Sequence, residues 1–331
     1  MIVLGIESTC DETAAALVQD GTKILSHSIA SSVDIHEQYG GVFPELACRR
    51  HLEAILPVIQ KTLQEGGVSP QEIDLIAVAK GPGLVGALLI GMQVAKGLAI
   101  SWQKPFLGVN HVEAHLYAAM MGAPPPWPLP ALGCVLSGGH TLLVQIENIG
   151  QCHLLSTTHD DALGETFDKV ALSLGCPYPG GPHVEQLARL GDAKRYPFKA
   201  GRVKASPLAF SFSGIKTSVR YAVQDKILTA QDRSDLAASF QEAVFQDVIH
   251  KIQGALQQLP SQAVYFGGGV CNNQRLRSLC KETFSLPVFW PPKDLSSDNA
   301  IMIAGLGFQK FHRHPIGDPL DLEVSPRLPI A

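Results

Sequence analysis

Apolar residues in this chain come in short unbroken runs separated by glycine-rich or polar turns. The first, Met1-Ile2-Val3-Leu4-Gly5-Ile6, meets Glu7, and Ile2 to Ser8 reads as an apolar first strand. A turn at Thr9-Cys10-Asp11-Glu12-Thr13 follows, and Ala14 to Val18 reads as a second strand. About 125 residues later the pattern returns: Leu132-Gly133-Cys134-Val135-Leu136, the turn Ser137-Gly138-Gly139-His140-Thr141, then Leu142 to Ile146. The repeat predicts an internal duplication.

Between the repeats the spacing predicts an amphipathic helix from about Pro44 to Leu63, with Leu52, Leu56, Ile59 and Leu63 on one side, and a buried strand at Ile73 to Ala79. Gly81-Pro82-Gly83 ends that strand and opens a small-residue helix through Gly91 and Ala99. The proline-rich stretch Ala123 to Pro130 reads as a stiff surface connector. Further on, Glu165 to Leu174 is expected to be helical and Tyr178-Pro179-Gly180-Gly181-Pro182 a loop. A long amphipathic helix is expected at Asp235 to Leu256, carrying Leu236, Phe240, Val244, Val248 and Ile252. The strand Ala263 to Phe266 runs into Gly267-Gly268-Gly269 before a helix at Asn273 to Phe284. Strands alternating with helices make the class α/β.

Composition adds boundaries. A chain of 331 residues, 46% hydrophobic and 17% charged, can fill two core-bearing lobes. No apolar run is read as reaching membrane-spanning length, and the first is too short for a signal peptide and lacks a basic flank, so a cytoplasmic protein with no membrane contact is expected. Seven cysteines without a C-x-x-C pair fit a reducing compartment, with Cys10 and Cys271 read as small buried residues. The net charge of −4 carries no global signal for nucleic acid, so such contact must come from a local patch. Lys194, Arg195, Lys199, Arg202 and Lys204, interleaved with Tyr196 and Phe198, form one; Arg49 and Arg50 are a second.

The candidate chemistry begins at Asn110-His111-Val112-Glu113-Ala114-His115. His111 and His115 lie about 40° apart on a helix, stacked on one side at metal-ligand spacing. Glu113 points away, so the base of an H-E-x-x-H metalloprotease is missing. Asp298 is the candidate third ligand, unless it or Ser297 only caps the helix that follows. Two imidazoles and a carboxylate with open positions suit one divalent ion, Fe(II) in preference to Zn(II). The glycine turn at Ser137 to Thr141 can bring N–H groups close to a phosphate, while Asn272 or Asn273, with Glu185 or Asp168, could receive an adenosine.

Taken together, Gly5 to Thr13, Asn110 to His115, Ser137 to Thr141, Gly164-Glu165-Thr166-Phe167-Asp168-Lys169, Tyr178 to Pro182, Ser211-Phe212-Ser213-Gly214-Ile215-Lys216-Thr217 and Ser297-Asp298-Asn299-Ala300 resemble the TsaD family, the bacterial tRNA threonylcarbamoyladenosine transferases. The resemblance runs in order from residue 5 to about residue 305. It implies the duplicated two-lobe fold of actin, sugar kinases and the Hsp70 ATPase, with a nucleotide cleft between an N-terminal lobe (1–110 with 294–331) and a C-terminal lobe (111–293). It implies transfer of threonylcarbamoyl from threonylcarbamoyl-adenylate, made by a separate synthase, to N6 of the tRNA adenine 3′ of the anticodon, with release of AMP. By position, His111, His115 and Asp298 would hold the metal. Val135, Leu136, Ser137, Gly138, Gly139, Asp168, Gly181, Glu185 and Asn273 would hold the adenylate. Asp11 and Glu12 are the candidate acid–base residues. The implied partners are a small non-catalytic paralogue of the TsaB type, pairing with the first lobe, and a P-loop ATPase of the TsaE type. Two departures stand out: Asn272 precedes Asn273 where the family has alanine or serine, and Ser296-Ser297 replaces Cys-Thr before Asp298. The alternatives are a small-molecule kinase of the same superfold, a metalloprotease without its base, and a nucleotide-dependent scaffold.

Overall fold

The computed structural model describes residues 1–37 and 41–330. They form two compact units, one made of Met1–Pro125, Asn148–Cys152 and Pro291–Ala331, the other of Pro126–Glu147 and His153–Trp290.

In the first unit β1 (Ile2–Glu7), β2 (Glu12–Gln19), β3 (Lys23–Ser31), β4 (Leu75–Gly81) and β5 (Phe106–Asn110) make a sheet of order β3-β2-β1-β4-β5. β1, β2 and β3 run antiparallel in sequence, whereas β4 and β5 are parallel to β1. β1 lies at the centre and is buried from Val3 to Glu7, which explains its unbroken apolar run. After the short α1 (Val33–Glu37), α2 (Pro44–Gly66) and α3 (Val85–Trp102) pack together over the sheet, and α4 (His111–Met121) continues directly from β5. The C-terminal helix, Ala300–Arg313, packs against β1, β2, β4 and α4.

That last packing depends on missing side chains. A Cβ on Gly5 would lie 2.2 Å from the Ala300 carbonyl oxygen and 2.8 Å from Ala304 Cβ, and one on Gly307 would lie 2.5 Å from Ala77 Cβ. Helix and sheet therefore approach at backbone distance.

The second unit repeats the plan. β6 (Ala131–Leu136), β7 (Thr141–Asn148), β8 (Gln151–Thr157), β9 (Val264–Gly267) and β10 (Val288–Phe289) are ordered β10-β9-β6-β7-β8. With β6 for β1, this is the order of the first sheet; β6 pairs antiparallel with β7 and parallel with β9. The internal duplication expected from the sequence is present in the topology. Helices α5 (Leu163–Ser173), α6 (Gly180–Ala188), α7 (Ser213–Val223), α8 (Ala230–Gln258) and α9 (Gln274–Thr283) supply the rest, and the C-terminal helix is α10. α8 runs through the core with Leu236, Phe240, Val244, Val248 and Ile252 buried.

Several expectations need correction. The boundary expected at residue 110 lies beyond α4, because α4 packs on α10 within the first unit. Of the expected apolar side of α2, Ile59 is buried, but Leu52 and Leu56 are 65% and 58% exposed. Polar anchors set that helix's rotation: His51 Nδ1 lies 2.7 Å from Thr13 Oγ1, and Thr62 Oγ1 donates to the Ala15 carbonyl. Gly180-Gly181-Pro182 is the first turn of α6 rather than a loop, since Asp168 accepts from the Gly180 N–H and a first-turn proline sacrifices no helix bond. α8 starts at Ala230, ahead of the expected Asp235, because Thr229 and Asp232 form a capping box. α3 is also long and apolar enough, by length and composition, to cross a membrane, contrary to the sequence reading; here Ala87, Gly91, Ala95 and Ala99 bury one face against the sheet and α2.

Candidate metal centre and nucleotide-binding loops

Three donors meet in the first unit. Asn110 caps α4, accepting from the N–H groups of Val112 and Glu113, so His111 and His115 occupy the first two turns. From the other side comes Asp298, two residues before the first residue of α10. The cap of α10 is Asn299, which accepts from Met302 N, so the carboxylate of Asp298 is not the cap that the sequence left open. Asp298 Oδ1 lies 3.1 Å from His115 Nε2 and 3.6 Å from His111 Nε2, and donor atoms of the three residues lie within 4.8 Å of one another. Ligands bound to one ion at about 2.0–2.2 Å stand roughly 3–3.5 Å apart, so the set fits a metal with little movement.

Glu7 is a further candidate site residue that sequence reasoning passed over. It is fully buried at the end of β1, accepts from Thr9 N at 2.6 Å, and its Oε2 lies 3.0 Å from His111 Nδ1. A carboxylate on the far nitrogen of a ligating histidine fixes the ring and directs Nε2 to the ion. Its sequence signal was a charge closing an otherwise apolar strand. Burial pulls the His111 imidazole down, but Glu7 and then Asp298 outweigh it and raise it to about 9. Two carboxylates thus demand positive charge at this point, which a divalent ion would supply. His115 is fully buried, with Nδ1 unpartnered among the described residues.

The β1–β2 turn adds acidity. Burial raises Asp11, assisted by Asp298. Glu12 is pushed up to about 7, by burial first and against a hydrogen bond from Ser31, with Asp11 and Asp298 adding to it. Its Oε2 is buried without a partner among the described residues. Glu113 faces elsewhere, ion-paired with Lys310 at 2.7 Å, which removes the protease reading on geometric grounds.

In the second unit the residues expected at an adenylate are linked in series. Val135 and Leu136 end the buried β6. The turn after it, Ser137-Gly138-Gly139, is closed by Ser137 N donating to the His140 carbonyl, while the N–H groups of Gly138 and Gly139 donate to nothing among the described residues. A Cβ on either glycine would meet nothing within 4 Å, so the side of the turn where side chains would stand is open. The turn is braced from below: Gly164 N donates to Ser137 O, and a Cβ on Gly268 would lie 2.4 Å from Leu136 O. Helix α5 leads from Gly164 to Asp168, which accepts from Gly180 N at 2.7 Å beside Gly181. α6 then carries Glu185, which accepts from Gln274 N and Arg189. Asn273 caps α9, and its amide donates to Gln241 at 2.7 Å. Its side chain is therefore spent on structure, and the half-buried Asn272 is the more accessible of the pair.

The duplicated sheets place the chain in the fold class of sugar kinases and the Hsp70 ATPase. A solved structure of full-length HypF in its phosphate- and nucleotide-bound form superposes with a TM-score of 0.64 at 12% identity, covering 96% of this chain and 47% of that one. A ROK family glucokinase from Streptomyces griseus, in complex with glucose and AMPPNP, gives 0.51 at 12% identity over 93% of this chain and 100% of that one. Within that class the sequence is more specific. The family model TsaD, tRNA N6-adenosine threonylcarbamoyltransferase, matches residues 23–305. The tRNA N6-adenosine threonylcarbamoyltransferase of Protochlamydia amoebophila (strain UWE25) is 54% identical over 338 residues, covering 100% of this chain and 98% of the relative. The chain belongs to the TsaD family.

Proposed function

We propose that this chain transfers the threonylcarbamoyl group from threonylcarbamoyl-adenylate to N6 of the adenosine 3′ of the anticodon, in tRNAs reading codons that begin with A. The observation that carries the reading is the convergence of His111, His115 and Asp298, held by Glu7, in a chain matching a named transferase along its whole length. In the reaction the N6–carbonyl bond forms, the carbonyl–phosphate bond breaks, AMP leaves and N6 gives up a proton. An acyl-adenylate is an activated mixed anhydride, so catalysis rests on orientation and on stabilising developing negative charge. Gly138 and Gly139 would donate N–H groups to the phosphate, and Asp168, Gly181, Glu185 and the Asn272-Asn273 pair would receive the nucleoside. Glu12, with its carboxyl pushed up to about 7 and one oxygen without a partner among the described residues, is suited to accept the N6 proton. His111, His115 and Asp298 would hold one divalent ion, Fe(II) in preference to Zn(II), whose chemistry is to polarise the carbonyl or bind the threonyl carboxylate.

Partners follow from the same reading. Leu52 and Leu56 on α2, with Val85 and Leu89 on α3, are exposed apolar side chains on two helices packed together, and suit the small TsaB-type paralogue. A TsaE-type P-loop ATPase would join that pair, a separate synthase would supply the adenylate, and tRNA as substrate places the work in the cytoplasm. The direct test incubates the chain with purified threonylcarbamoyl-adenylate and tRNA, then weighs the digested nucleosides. Adenosine heavier by one threonylcarbamoyl group is expected. Free AMP with unmodified tRNA, when the paralogue and ATPase are also present, would overturn the reading.

A further inference from the structure

The basic and aromatic residues between Lys194 and Arg202 do not form an extended surface strip. They fold over α8 and line a cavity of about 800 Å³, with Glu242, Gln246 and Asp247 of α8 on its other side. Tyr196 and Phe198 line it together, their rings nearly parallel at 10° with centroids 5.6 Å apart. Their backbone is fixed: Tyr196 N donates to Ser239 Oγ on α8, and Phe198 N donates to the Tyr196 carbonyl at 2.8 Å. The rings are a built platform.

Charge in the cavity is one-sided once the pairs are counted. Arg275 holds Glu242 through two nitrogens, at 2.8 and 3.0 Å, and Lys251 pairs with Asp247; neither cation lines the cavity. Lys194, Lys199 and Arg202 are exposed, and none makes an ion pair among the described residues. What remains is an excess of positive charge around two nearly parallel aromatic rings, with burial raising the Asp247 carboxyl, Arg202 near enough to act to lower it, and Lys194 and Lys199 outside ion-pair distance of any carboxylate among the described residues, on a chain with a net charge of −4. Basic groups alone would suit any polyanion, but an aromatic platform contributes only where base faces are free to stack, which excludes a continuous duplex.

We infer that this cavity binds unpaired nucleotides of the RNA substrate, stacking a base on Tyr196 and Phe198 while Lys199 and Arg202 contact flanking phosphates. The inference rests on the transfer reading for the identity of the RNA. It also links the RNA to the nucleotide loops, because Gln241, the partner of Asn273, and Glu242, at the cavity, are adjacent on α8.

The test uses the full-length chain and two labelled RNAs, an anticodon stem-loop and a blunt-ended two-strand duplex of the same stem with no unpaired bases, with binding followed by anisotropy across a salt series. Lys199→Ala/Arg202→Ala should weaken stem-loop binding on the order of ten-fold and make the log–log salt slope shallower by roughly 1.4, from two phosphate contacts at about 0.7 each. Tyr196→Leu should weaken binding on the order of ten-fold without changing the slope, because stacking releases no counterions. Both variants should raise KM for tRNA in the transfer assay. The exposed Lys199/Arg202 pair guards against a folding artefact, checked by an unchanged thermal midpoint. Wild-type affinity, slope and KM in the double variant would overturn the inference, as would equal wild-type affinity for the paired stem. Wild-type chain that fails to modify tRNA would instead unseat the transfer reading, so the two failures are distinguishable.

Discussion

Replacing Gly5 by alanine should damage the candidate metal centre without touching any of its donors. The new methyl would sit 2.2 Å from the Ala300 carbonyl oxygen and 2.8 Å from both the nitrogen and the Cβ of Ala304. Real contacts of this kind do not close below about 3 Å, so the start of α10 must retreat by roughly 1 Å. β1 cannot give way instead, because Gly5 is hydrogen-bonded in register between Ala16 on β2 and Ala77 on β4. Asp298 is two residues before Ala300 and moves with it, drawing its carboxylate away from His115 Nε2, now 3.1 Å distant. Overpacking of this kind costs about 1–3 kcal/mol. A displaced ligand should lower metal affinity at least as much as loss of a supporting hydrogen bond, about 10–100-fold. Urea unfolding of the metal-free chain and competition with a chromogenic chelator read the two effects separately. A Gly5→Ala chain with wild-type stability and wild-type metal affinity would refute the argument that glycine-permitted packing of α10 positions the third ligand.

Other consequences are more local. Asp298→Ala and His115→Ala should each lower metal affinity by orders of magnitude, and Glu7→Gln by about 10–100-fold, measured by metal analysis after dialysis; full occupancy in Asp298→Ala would reduce that residue to a bystander. Gly139→Val should abolish binding of adenine nucleotides by filling the open space beside the turn and blocking close approach of a phosphate, and calorimetry showing unchanged affinity would remove the β6–β7 turn from the site. Glu12 has its carboxyl raised from 4.5 to about 7 in the folded chain, so the native state binds more protons between those values and stability falls as pH rises through that window. Glu12→Gln in the metal-free chain should flatten this dependence and raise the urea midpoint above pH 7 relative to wild type; a lower midpoint there would show that the ionised carboxylate is stabilising after all.

Much of the site was legible because its residues carry their chemistry in their spacing. His111 and His115 are read off one helix, and the duplication off two apolar runs with matching turns. Glu7 was not legible, since its role depends on β1 and α4 meeting, and a carboxylate ending a strand looks like any polar boundary. Nor could the sequence show that Asn299 rather than Asp298 caps α10, because both have the side chain for it. Leu52 and Leu56 were misplaced for a related reason: helical periodicity gives the faces of α2, but the polar anchors at His51 and Thr62 decide which one turns inward. The glycines of the α6 start read as loop until the partner carboxylate of Asp168 is seen, twelve residues upstream of Gly180.

The most direct measurement is a metal titration of transfer itself. The chain is stripped with chelator, supplied with threonylcarbamoyl-adenylate, tRNA and its two proposed protein partners, and given increasing Fe(II) under anaerobic conditions or Zn(II) in parallel. Modified adenosine is quantified by mass spectrometry. The expected result is no modification in the stripped chain and a rise that saturates at one equivalent of metal per chain, absent in Asp298→Ala. Full transfer by the stripped chain, or by Asp298→Ala without metal, would contradict the assignment of His111, His115 and Asp298 as the centre on which the reaction depends.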